Sequence, residues 1–582
     1  MLRFDGSIPA VYEPSIPFYI ALSFFLTVPL LFWRRLYAFT WAFVSLDEVI
    51  EVLKVSAASG LLFLIAYAIF QGHPFFRSFP RSIIIIHHAL LFLFLGFLRA
   101  AKRVTSLIFE PRKKGDQMKH ALIIGAGESA DELIRIMQRS KRNGYALMGI
   151  LDDAPEKQKT LLHGVDVLGP VDDLPAVAAK YEVQTIIIAL PENENGAVRK
   201  TITLAKKAQI TDIKIIPGMY EMLDGKLSVE QLRPVRVEDL LGRKTTKIET
   251  QAIESFVHNK RILITGAAGS IGSELCRQIA KFSPRALHIV DYEESNLFDL
   301  ARILALDHPA LPITPSIADI RNRMKMEMLI EEIKPHIIFH AAAYKHVPLM
   351  EAFPEEAIAT NVFGTLCVAR AALKANVEKF VLISSDKAVH PVSVMGKTKK
   401  LAEMIVSSLN EPGRTHFVSV RFGNVLGSRG SILPIFEEQL KRRLPLTITH
   451  PKMTRFFMTA PEAALLVLEA ATLGEGGEIF VLDMGKPIKI VEFAKEFIRL
   501  HGLEPNKDVP IVYGKPRPGE RIAEVLLTDE EGVSATRYQK IFRAKSNHKM
   551  ERKELILRLK DLRACLHHDR TLLKQELTKL IE

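Results

Sequence analysis

The segment from Arg261 to Gly272 constrains the fold of this chain more than any other. It reads RILITGAAGSIG, a buried-strand run that leads through a glycine-rich turn into a helical stretch. In such a GxxGxxG pattern Gly266 makes the turn, Gly269 lets a pyrophosphate approach the backbone, and Gly272 lets the helix pack against the strand. The anionic pyrophosphate then lies at the positive end of the helix dipole. The pattern predicts a Rossmann-type dinucleotide site.

An acidic residue supports this interpretation and favours one cofactor. Asp291 ends the next strand-like run, ALHIVD. A carboxylate at that place accepts hydrogen bonds from ribose hydroxyls and repels a 2′-phosphate, so NAD is favoured over NADP. Asp319 and Ile320, after the third strand, either contact the adenine or form a simple turn. The expected cofactor contacts are Gly266, Ala268, Gly269, Ser270, Ile271, Gly272, Asp291, Asp319, Ile320, Ala341, Ala342 and Lys399.

Strand-like runs alternate with helical stretches from residue 121 onward, which predicts βαβ units and parallel sheets. The alternation occurs twice, over residues 116–232 and 261–545, separated by a charged segment at 233–260 that we interpret as a linker with a short helix. The first unit has its own strand–helix turn, Gly125 to Ala130, with the pattern GxGxxA. That motif alone leaves nucleotide binding and a purely structural turn both open. Residues 546–582 predict one or two charged, solvated packing helices.

Three apolar runs occupy residues 17–33, 52–70 and 82–98, each close to the ~20 residues that cross a bilayer. We predict a membrane region of three spans over residues 1–115. Basic residues follow the first and third runs, which places the 34–51 loop and everything after residue 99 in the cytoplasm. His87 and His88 fall inside the third run, where we expect helix–helix contacts.

Charge and cysteine content exclude several classes of protein. The net charge is +12, yet no basic tract with interleaved aromatic residues indicates nucleic-acid binding. The three cysteines show no paired spacing, which argues against a disulfide framework and a zinc site. The expected fold class is α/β: transmembrane helices followed by two doubly wound parallel-sheet domains.

Several further motifs make the chain recognisable. They are FHAAAYKHVPLMEAFPEEAIATNVFGT (339–365), LISSDKAVHPVSVMGKTK (382–399), RFGNVLGSRGSILPIF (421–436) and MTRFFMT (453–459). With GAAGSIGSEL they resemble the extended short-chain dehydrogenase/reductases. Within that superfamily the chain resembles the membrane-bound UDP-N-acetylglucosamine 4,6-dehydratases of bacterial polysaccharide and glycan biosynthesis.

This resemblance implies a reaction and the residues that perform it. NAD⁺ would take a hydride from sugar carbon 4, water would leave carbon 6 after proton loss at carbon 5, and the hydride would return to carbon 6. Ser385 would bind the carbon-4 hydroxyl, Asp386 would protonate the leaving hydroxyl, and Lys387 would be the base at carbon 5. Lys399 would bind the nicotinamide ribose. The acid and the base both need shifted pKa values to act near neutrality.

Met395 departs from the superfamily pattern Tyr-x-x-x-Lys. A thioether cannot take the proton of the carbon-4 hydroxyl. Methionine here is typical of the long membrane-bound dehydratases, so Met395 is expected in the active site. The base for the first step is left open between Asp386, through a water, and Lys399.

Polar residues in the same motifs are expected to bind the substrate. Guanidinium groups bind phosphate in a bidentate manner, which suits the UDP diphosphate. The expected substrate contacts are Lys345, Asn361, Arg421, Asn424, Arg429, Arg455 and Arg517, with His346 and Glu520 either near the site or structural.

Two other functions remain open. A UDP-sugar epimerase shares the fold and NAD, but it needs no acid for water loss and normally keeps the tyrosine. A non-catalytic membrane regulator that senses dinucleotide belongs to another class, and the Asp386–Lys387 pair disfavours it. The family resemblance also implies a homo-oligomer in the bacterial inner membrane. Family members usually have four membrane helices, whereas three runs are present here.

Overall fold

The computed structural model describes residues 13, 15–34, 46–73, 81–109, 118–139, 144–191, 195–217, 227–240, 248–526, 532–544, 551–567 and 569–581. The chain divides into two compact units, residues 1–117 and 118–582. The predicted boundaries at residues 115 and 545 lie outside the described residues.

The described residues of the first unit form three helices: α1 (Ile16–Trp33), α2 (Leu46–Phe70) and α3 (Arg81–Phe109). Two of them, over residues 16–33 and 50–70, are long and apolar enough to cross a bilayer, with mean hydropathies of 1.9 and 2.0. The third predicted span contains a shorter apolar stretch, Ser82–Leu95. The loop predicted at residues 34–51 is partly helical, because α2 begins at Leu46; residues 35–45 lie outside the described part of the chain.

Polar side chains join these helices to one another. Ser23 Oγ lies 2.8 Å from His87 Nε2, and Thr27 Oγ1 lies 2.7 Å from Ser59 Oγ. Ser59 Oγ is also 3.2 Å from His88 Nε2. The helix–helix contacts expected for the two histidines are therefore present.

The second unit begins with a seven-stranded sheet in the order β3-β4-β2-β1-β5-β6-β7. Its strands are β1 (Lys119–Ile124), β2 (Tyr145–Leu151), β3 (Leu161–Leu162), β4 (Val165–Gly169), β5 (Thr185–Ile188), β6 (Asp212–Ile215) and β7 (Arg233–Pro234). The five inner strands are parallel, and the two edge strands pair antiparallel. The helices are α4 (Glu128–Arg139), α5 (Leu174–Lys180) and α6 (Asn195–Lys207). The segment interpreted as a linker therefore starts with a strand, because Arg233 and Pro234 pair with β6.

A nine-stranded sheet follows α7 (Thr250–Val257) in the order β10-β9-β8-β11-β12-β13-β18-β22-β21. Its strands are β8 (Arg261–Thr265), β9 (Ala286–Asp291), β10 (Ile313–Ile317), β11 (Ile337–His340), β12 (Lys379–Ile383), β13 (His416–Arg421), β18 (Ile479–Leu482), β21 (Val533–Ala535) and β22 (Ile541–Ala544). The strands from β10 through β18 are parallel. The strand order reverses between β8 and β11, and ligands of open α/β sheets bind at such a switch point.

Helices cover both faces of this sheet. They are α8 (Ser270–Ala280), α9 (Glu294–Asp307), α10 (Arg323–Ile333), α11 (Val347–Ala352), α12 (Pro354–Ala357), α13 (Thr365–Lys374), α14 (Val394–Ser408), α15 (Ile432–Lys441), α16 (Ala460–Leu473) and α17 (Ile490–Leu500). A π-helical turn, Ile358–Gly364, joins α12 to α13.

In the part of the chain that the structure describes, three two-stranded pairings lie outside the large sheets. They are β14 (Asn424–Val425) with β17 (Phe457–Met458), β15 (Leu446–Ile448) with β20 (Ile511–Tyr513), and β16 (Thr454–Arg455) with β19 (Ile488–Lys489).

Two C-terminal helices, α18 (Arg552–Ala564) and α19 (Arg570–Ile581), pack against the part of the chain that forms the nine-stranded sheet. Leu555, Leu573 and Leu577 are buried in the same core as residues of α14. Lys397 Nζ of α14 donates to Thr578 Oγ1 at 2.6 Å. The predicted tail helices thus brace the helix that carries Met395 and Lys399.

Candidate active site

The glycine turn after β8 leaves no room for side chains. Gly266 has a φ of +68°, and a Cβ there would lie 2.4 Å from the Ala342 nitrogen. A Cβ on Gly272 would lie 2.1 Å from the Gly266 oxygen. Helix α8 begins at Ser270 with Gly269 as its N-cap. The exposed N-terminal turn of α8 suits a pyrophosphate, so the residues present fit a dinucleotide.

Asp291 holds this turn in place. Its Oδ2 accepts the Ala268 N–H at 2.9 Å, and its Oδ1 accepts the Glu293 N–H at 3.1 Å. The carboxylate lies at the carboxyl end of β9, beside the glycine turn, as the sequence predicts. Each oxygen retains acceptor capacity for a ribose hydroxyl.

The two residues expected to contact the adenine, Asp319 and Ile320, differ in how exposed they are. Ile320 is buried in the core, where a Cβ added to Gly364 would approach it to 2.6 Å. Asp319 is half exposed and pairs with Arg321 at 2.7 Å. Arg321 outweighs burial and holds the pKa of Asp319 below its usual value.

A cavity of about 910 Å³ extends from the glycine turn across the carboxyl ends of the central strands. That volume is within the range of sites that enclose a small molecule or cofactor. Among the expected residues, it is lined by Gly266, Gly269, Ser270, Ile271, Gly272, Ala341, Lys345, Ser385, Lys387, Met395, Lys399, Asn424, Arg429, Arg455 and Arg517. The cavity therefore joins the predicted cofactor and substrate residues.

Asp386 and Lys387 form a tight cluster directly after β12. Lys387 Nζ lies 3.0 Å from Asp386 Oδ1, and the Ser385 hydroxyl donates to the same oxygen at 2.8 Å. Lys387 Nζ also donates to Asn424 Oδ1 at 3.0 Å. Lys387 reaches the cavity, whereas the side chain of Asp386 has no exposed surface.

Glu524 is a third member of this cluster that the sequence did not reveal. Its Oε1 lies 2.7 Å from Lys387 Nζ and 3.2 Å from Arg455 Nε, and its side chain is 6% exposed. Glu524 stands far along the chain from Asp386 in an unremarkable stretch, RIAEV. One sequence offers no signal that would bring it to the site.

The two carboxyl groups of the cluster favour the charged form of Lys387 over the neutral form. Burial opposes its charge, but Asp386 and Glu524 outweigh burial and raise the pKa of Lys387. Burial disfavours ionised Asp386, yet Lys387 and the hydrogen bonds around it lower the pKa of that carboxyl. Burial and Asp386 raise the pKa of Glu524 to about 7. Lys387 is thus an ammonium here, and Glu524 is the carboxyl that holds a proton near neutrality.

Helix α14 contributes Met395 and Lys399 to the cavity wall, one turn apart. Lys399 Nζ donates to the Ile383 carbonyl at 2.8 Å. Burial, partly offset by Glu403, lowers the pKa of Lys399 to about 8. An amine that titrates there can serve as a proton acceptor near neutrality.

Basic side chains line two parts of the cavity. Lys345 and Arg429 lie together near the glycine turn, and the Arg429 backbone N–H donates to Ser270 Oγ at 3.2 Å. Burial and the charge of Arg429 lower the pKa of Lys345. Arg455 and Arg517 flank the opposite part, where the Arg455 guanidinium donates to the Arg521 carbonyl at 2.8 Å.

His346 also lines the cavity and packs closely on Gly430. A Cβ on Gly430 would lie 2.3 Å from His346 Cε1. Burial and Lys345 lower the pKa of His346.

Arg421 does not lie where the sequence predicted. It is fully buried, and its guanidinium forms a bidentate pair with Glu403, both contacts being 2.7 Å. Glu403 also accepts from Ser384 Oγ at 2.6 Å. Arg421 therefore supports the strand ends from behind and does not reach a diphosphate in the cavity.

Asn361 is likewise a support and not a substrate contact. It is 1% exposed and exchanges two hydrogen bonds with the Tyr344 backbone, at 2.8 Å and 3.0 Å. Its amide also donates to Thr398 Oγ1 at 3.0 Å. The π-helical turn places this side chain so that it fixes the loop preceding Lys345.

We expect Asn361→Ala to destabilise the protein by about 1–3 kcal/mol, because it leaves the partly buried Tyr344 N–H without an acceptor. Denaturant unfolding of the purified chain measures this change. The variant should also lower the turnover rate, because Lys345 directly follows Tyr344, whose backbone would lose its hydrogen bonds to Asn361. An unchanged unfolding midpoint would contradict the stabilising role of the Asn361 hydrogen bonds to the Tyr344 backbone.

The glycine turn of the first sheet has similar internal bonding. Gly125 has a φ of +98°, and Asp152 Oδ2 accepts the Ala126 N–H at 2.6 Å. Hydrogen bonds from Ala126 and Ala154, together with Lys157, outweigh burial and lower the pKa of Asp152. These contacts account for the turn structurally, and a nucleotide there stays an untested prediction.

The fold and site define a class: α/β proteins with a doubly wound parallel sheet and a glycine turn that suits a dinucleotide. The family profile described as "Polysaccharide biosynthesis protein" matches residues 262–546, and one described as "CoA-binding domain" matches residues 37–217. The chain is 41% identical over 520 residues to the capsular polysaccharide biosynthesis protein CapD of Staphylococcus aureus, covering 88% of this chain and 85% of CapD. It is 40% identical over 497 residues to the probable polysaccharide biosynthesis protein EpsC of Bacillus subtilis, covering 85% and 81%.

A shorter relative and a solved structure match the catalytic half. The UDP-glucose 4-epimerase of Rickettsia bellii is 35% identical over 284 residues, covering 48% of this chain and 80% of the epimerase. The X-ray structure of Pen from Bacillus thuringiensis is 35% identical, with a TM-score of 0.47, covering 51% of this chain and 90% of Pen. This chain belongs to the polysaccharide biosynthesis protein family of CapD and EpsC, as the resemblance predicted.

Proposed function

We propose that the protein is a UDP-N-acetylglucosamine 4,6-dehydratase that uses tightly bound NAD. The observation that carries this proposal is that Lys387, at the wall of the cavity that begins at the glycine turn, contacts the buried carboxyl groups of Asp386 and Glu524. Water loss from a sugar needs both an acid and a base, and this cluster contains two carboxyl groups and an amine in direct contact.

The Gly266–Gly272 turn would hold NAD⁺, which would supply a reversible hydride acceptor beside the sugar. Lys399 is the group best suited to take the carbon-4 hydroxyl proton, because it lines the cavity and burial lowers its pKa to about 8. Asp386 is less suited to that step, since its side chain is covered. Ser385 orients the sugar hydroxyl.

The second half of the reaction belongs to the cluster. Lys387, as a neutral amine, removes the carbon-5 proton that the adjacent ketone has made acidic. The resulting ammonium returns a proton to carbon 5 when the hydride is added to carbon 6. Asp386, as a carboxylic acid, donates a proton to the departing carbon-6 hydroxyl. Side-chain motion must bring the covered Asp386 to the sugar, and the resting ammonium of Lys387 must first lose a proton. Lys345, Arg429, Arg455 and Arg517 provide the positive charge for a UDP diphosphate.

We expect the formation of the carbon-4 ketone to become faster as pH rises through about 8, because the neutral form of Lys399 is the reacting one. Reduction of bound dinucleotide in a single turnover of the Lys387→Met variant isolates this step. Lys399→Arg in the same background should abolish the rise, since arginine keeps its proton. A rate that falls through pH 8 would instead assign Lys399 a purely electrostatic role.

A nucleotide-sugar epimerase is the second candidate, favoured by the identity to the UDP-glucose 4-epimerase of Rickettsia bellii. Incubation of the full chain with UDP-N-acetylglucosamine separates the two. A product lighter by one water supports dehydration, and an isomer of equal mass supports epimerisation. No reaction despite bound dinucleotide would favour a regulator.

We further propose that the N-terminal helices anchor the enzyme in the bacterial inner membrane with the catalytic half in the cytoplasm. Phe24, Phe25 and Trp33 of α1 are exposed at 61%, 71% and 75%, while polar groups face the other helices. That arrangement is the reverse of a water-soluble bundle and suits lipid. A homo-oligomer remains an expectation from the family resemblance.

A further inference from the structure

We propose that Glu524 relays a proton from Lys387 to Asp386, which creates the acid and the base that dehydration needs. This inference rests on the proposed dehydratase function and deepens it. Glu524 acts through Asp386 and Lys387 and does not itself contact the sugar. It is therefore a positioning residue, which sets the protonation states of those two groups.

The geometry around Glu524 supports a relay. Its Oε1 accepts from Lys387 Nζ at 2.7 Å. Among the described residues, its other oxygen, Oε2, has no donor, and the same is true of Asp386 Oδ2. Both oxygens are buried, and the two carboxyl groups interact with each other as side chains. Two interacting carboxyl groups, each with a buried oxygen that lacks a donor, favour a proton shared between them.

A carboxylic acid has two oxygens and can therefore accept a proton on one while it donates from the other. Lys387 gives a proton to Oε1 of Glu524, and Oε2 of Glu524 gives its own proton to Oδ2 of Asp386. The ammonium becomes an amine, the Asp386 carboxylate becomes an acid, and Glu524 ends as it began. The number of protons is unchanged, and the net charge of the three groups stays constant.

This exchange resolves the disagreement between the resting cluster and the reaction. At rest Lys387 is charged and Asp386 is ionised, which is the wrong protonation for each role. Transfer through Glu524 reverses both at once. The relay does not leave an isolated charge in the interior, because it removes a buried ion pair as a whole.

The surroundings of Glu524 favour its protonated form. The charged groups that face it are Asp386, Lys387 and Arg455, and Glu520 lies 3.8 Å from Arg455 Nη2. Asp386 and burial together raise the pKa of Glu524 to about 7 against the opposing effects of Lys387 and Arg455. A second cavity of about 200 Å³, lined by Asp386, Lys387 and Glu524, is large enough for several waters that can return the proton lost with the leaving hydroxyl.

The test is Glu524→Gln in the full chain, with UDP-N-acetylglucosamine as substrate. Glutamine preserves size and hydrogen bonding but cannot accept a proton from Lys387. We expect dehydration to slow by about 100-fold or more, while bound dinucleotide is still reduced and the carbon-4 ketone accumulates. The wild-type decline in dehydration rate as pH rises through about 7, where Glu524 loses its proton, should disappear in this variant. Glu524→Asp should recover part of the rate together with the pH dependence.

Glu469→Gln is the matched control. Glu469 is also buried, and burial raises the pKa of its carboxyl, but it accepts from the Glu249 backbone away from the cavity. If the Glu524→Gln variant dehydrates the substrate at the wild-type rate, the relay is overturned and the dehydratase proposal stays intact. Absence of dehydration in the wild type and in Glu469→Gln overturns the proposed function itself. If the Glu524→Gln variant loses its bound dinucleotide, the Glu524→Asp variant tests the relay instead. Its shorter side chain should slow a proton transfer that depends on distance. A full dehydration rate with the wild-type pH profile in Glu524→Asp would therefore contradict the relay.

Discussion

Replacing Lys387 by methionine should slow dehydration by about 10²–10⁴-fold, the range that a positioned general base contributes. Lys387 is the amine at the cavity wall next to Asp386, and methionine keeps much of its length without a basic nitrogen. Bound dinucleotide should remain, since the glycine turn that would hold it follows β8, whereas Lys387 follows β12. Oxidation at carbon 4 should also continue, so reduced dinucleotide should accumulate after one addition of substrate.

Product mass and dinucleotide absorbance, followed in the same sample, measure both halves of this prediction. Lys397→Met is the matched control, because Lys397 lies on α14 and donates to Thr578 on the outer side of that helix. The assignment of Lys387 as the base is wrong if the Lys387→Met variant releases water at the wild-type rate.

Replacing Arg421 by methionine should destabilise the protein by about 3–5 kcal/mol, because it leaves a buried carboxylate without its partner. Glu403 is 1% exposed and receives two contacts of 2.7 Å from Arg421. A buried, uncompensated charge explains most of such a loss, so removing it should restore stability. We therefore expect the double variant Arg421→Met with Glu403→Leu to recover much of the free energy of unfolding.

Chemical denaturation of the two variants beside the wild type measures this effect. The alternative is the role that the sequence suggested, in which Arg421 binds the diphosphate. That role would appear as weaker substrate binding with near-normal stability in Arg421→Met, and it would give no rescue by the second substitution.

The architecture was predictable because its determinants are local. Buried-strand runs, helical stretches and the glycines at 266, 269 and 272 each specify their own segment, and parallel connection follows from the alternation. Asp291 could be found in the same way, since it ends the strand after the glycine turn. The edge strand at Arg233–Pro234 was missed because two residues with a proline carry no strand pattern.

The site was less predictable, because burial and partners depend on the whole fold. Arg421 and Asn361 stand in the same motifs as Asn424 and Lys345, but their side chains point behind the strand ends and into the loop backbone. Glu524 shows the opposite error, since a single glutamate in a plain stretch becomes the partner of Lys387 only through tertiary contacts. The raised pKa of Lys387 also depends on those contacts and reverses the protonation that its predicted role requires.

The most direct test of the account follows the hydrogen of carbon 4. The full chain is incubated with UDP-N-acetylglucosamine carrying deuterium at that carbon, and the product is analysed by mass spectrometry and NMR. We predict a 4-keto-6-deoxy sugar, lighter than the substrate by one water, with the deuterium on carbon 6. The central claim is that the hydride removed from carbon 4 is added to carbon 6 within one site. A product of unchanged mass, or one that has lost the deuterium to solvent, would contradict this claim.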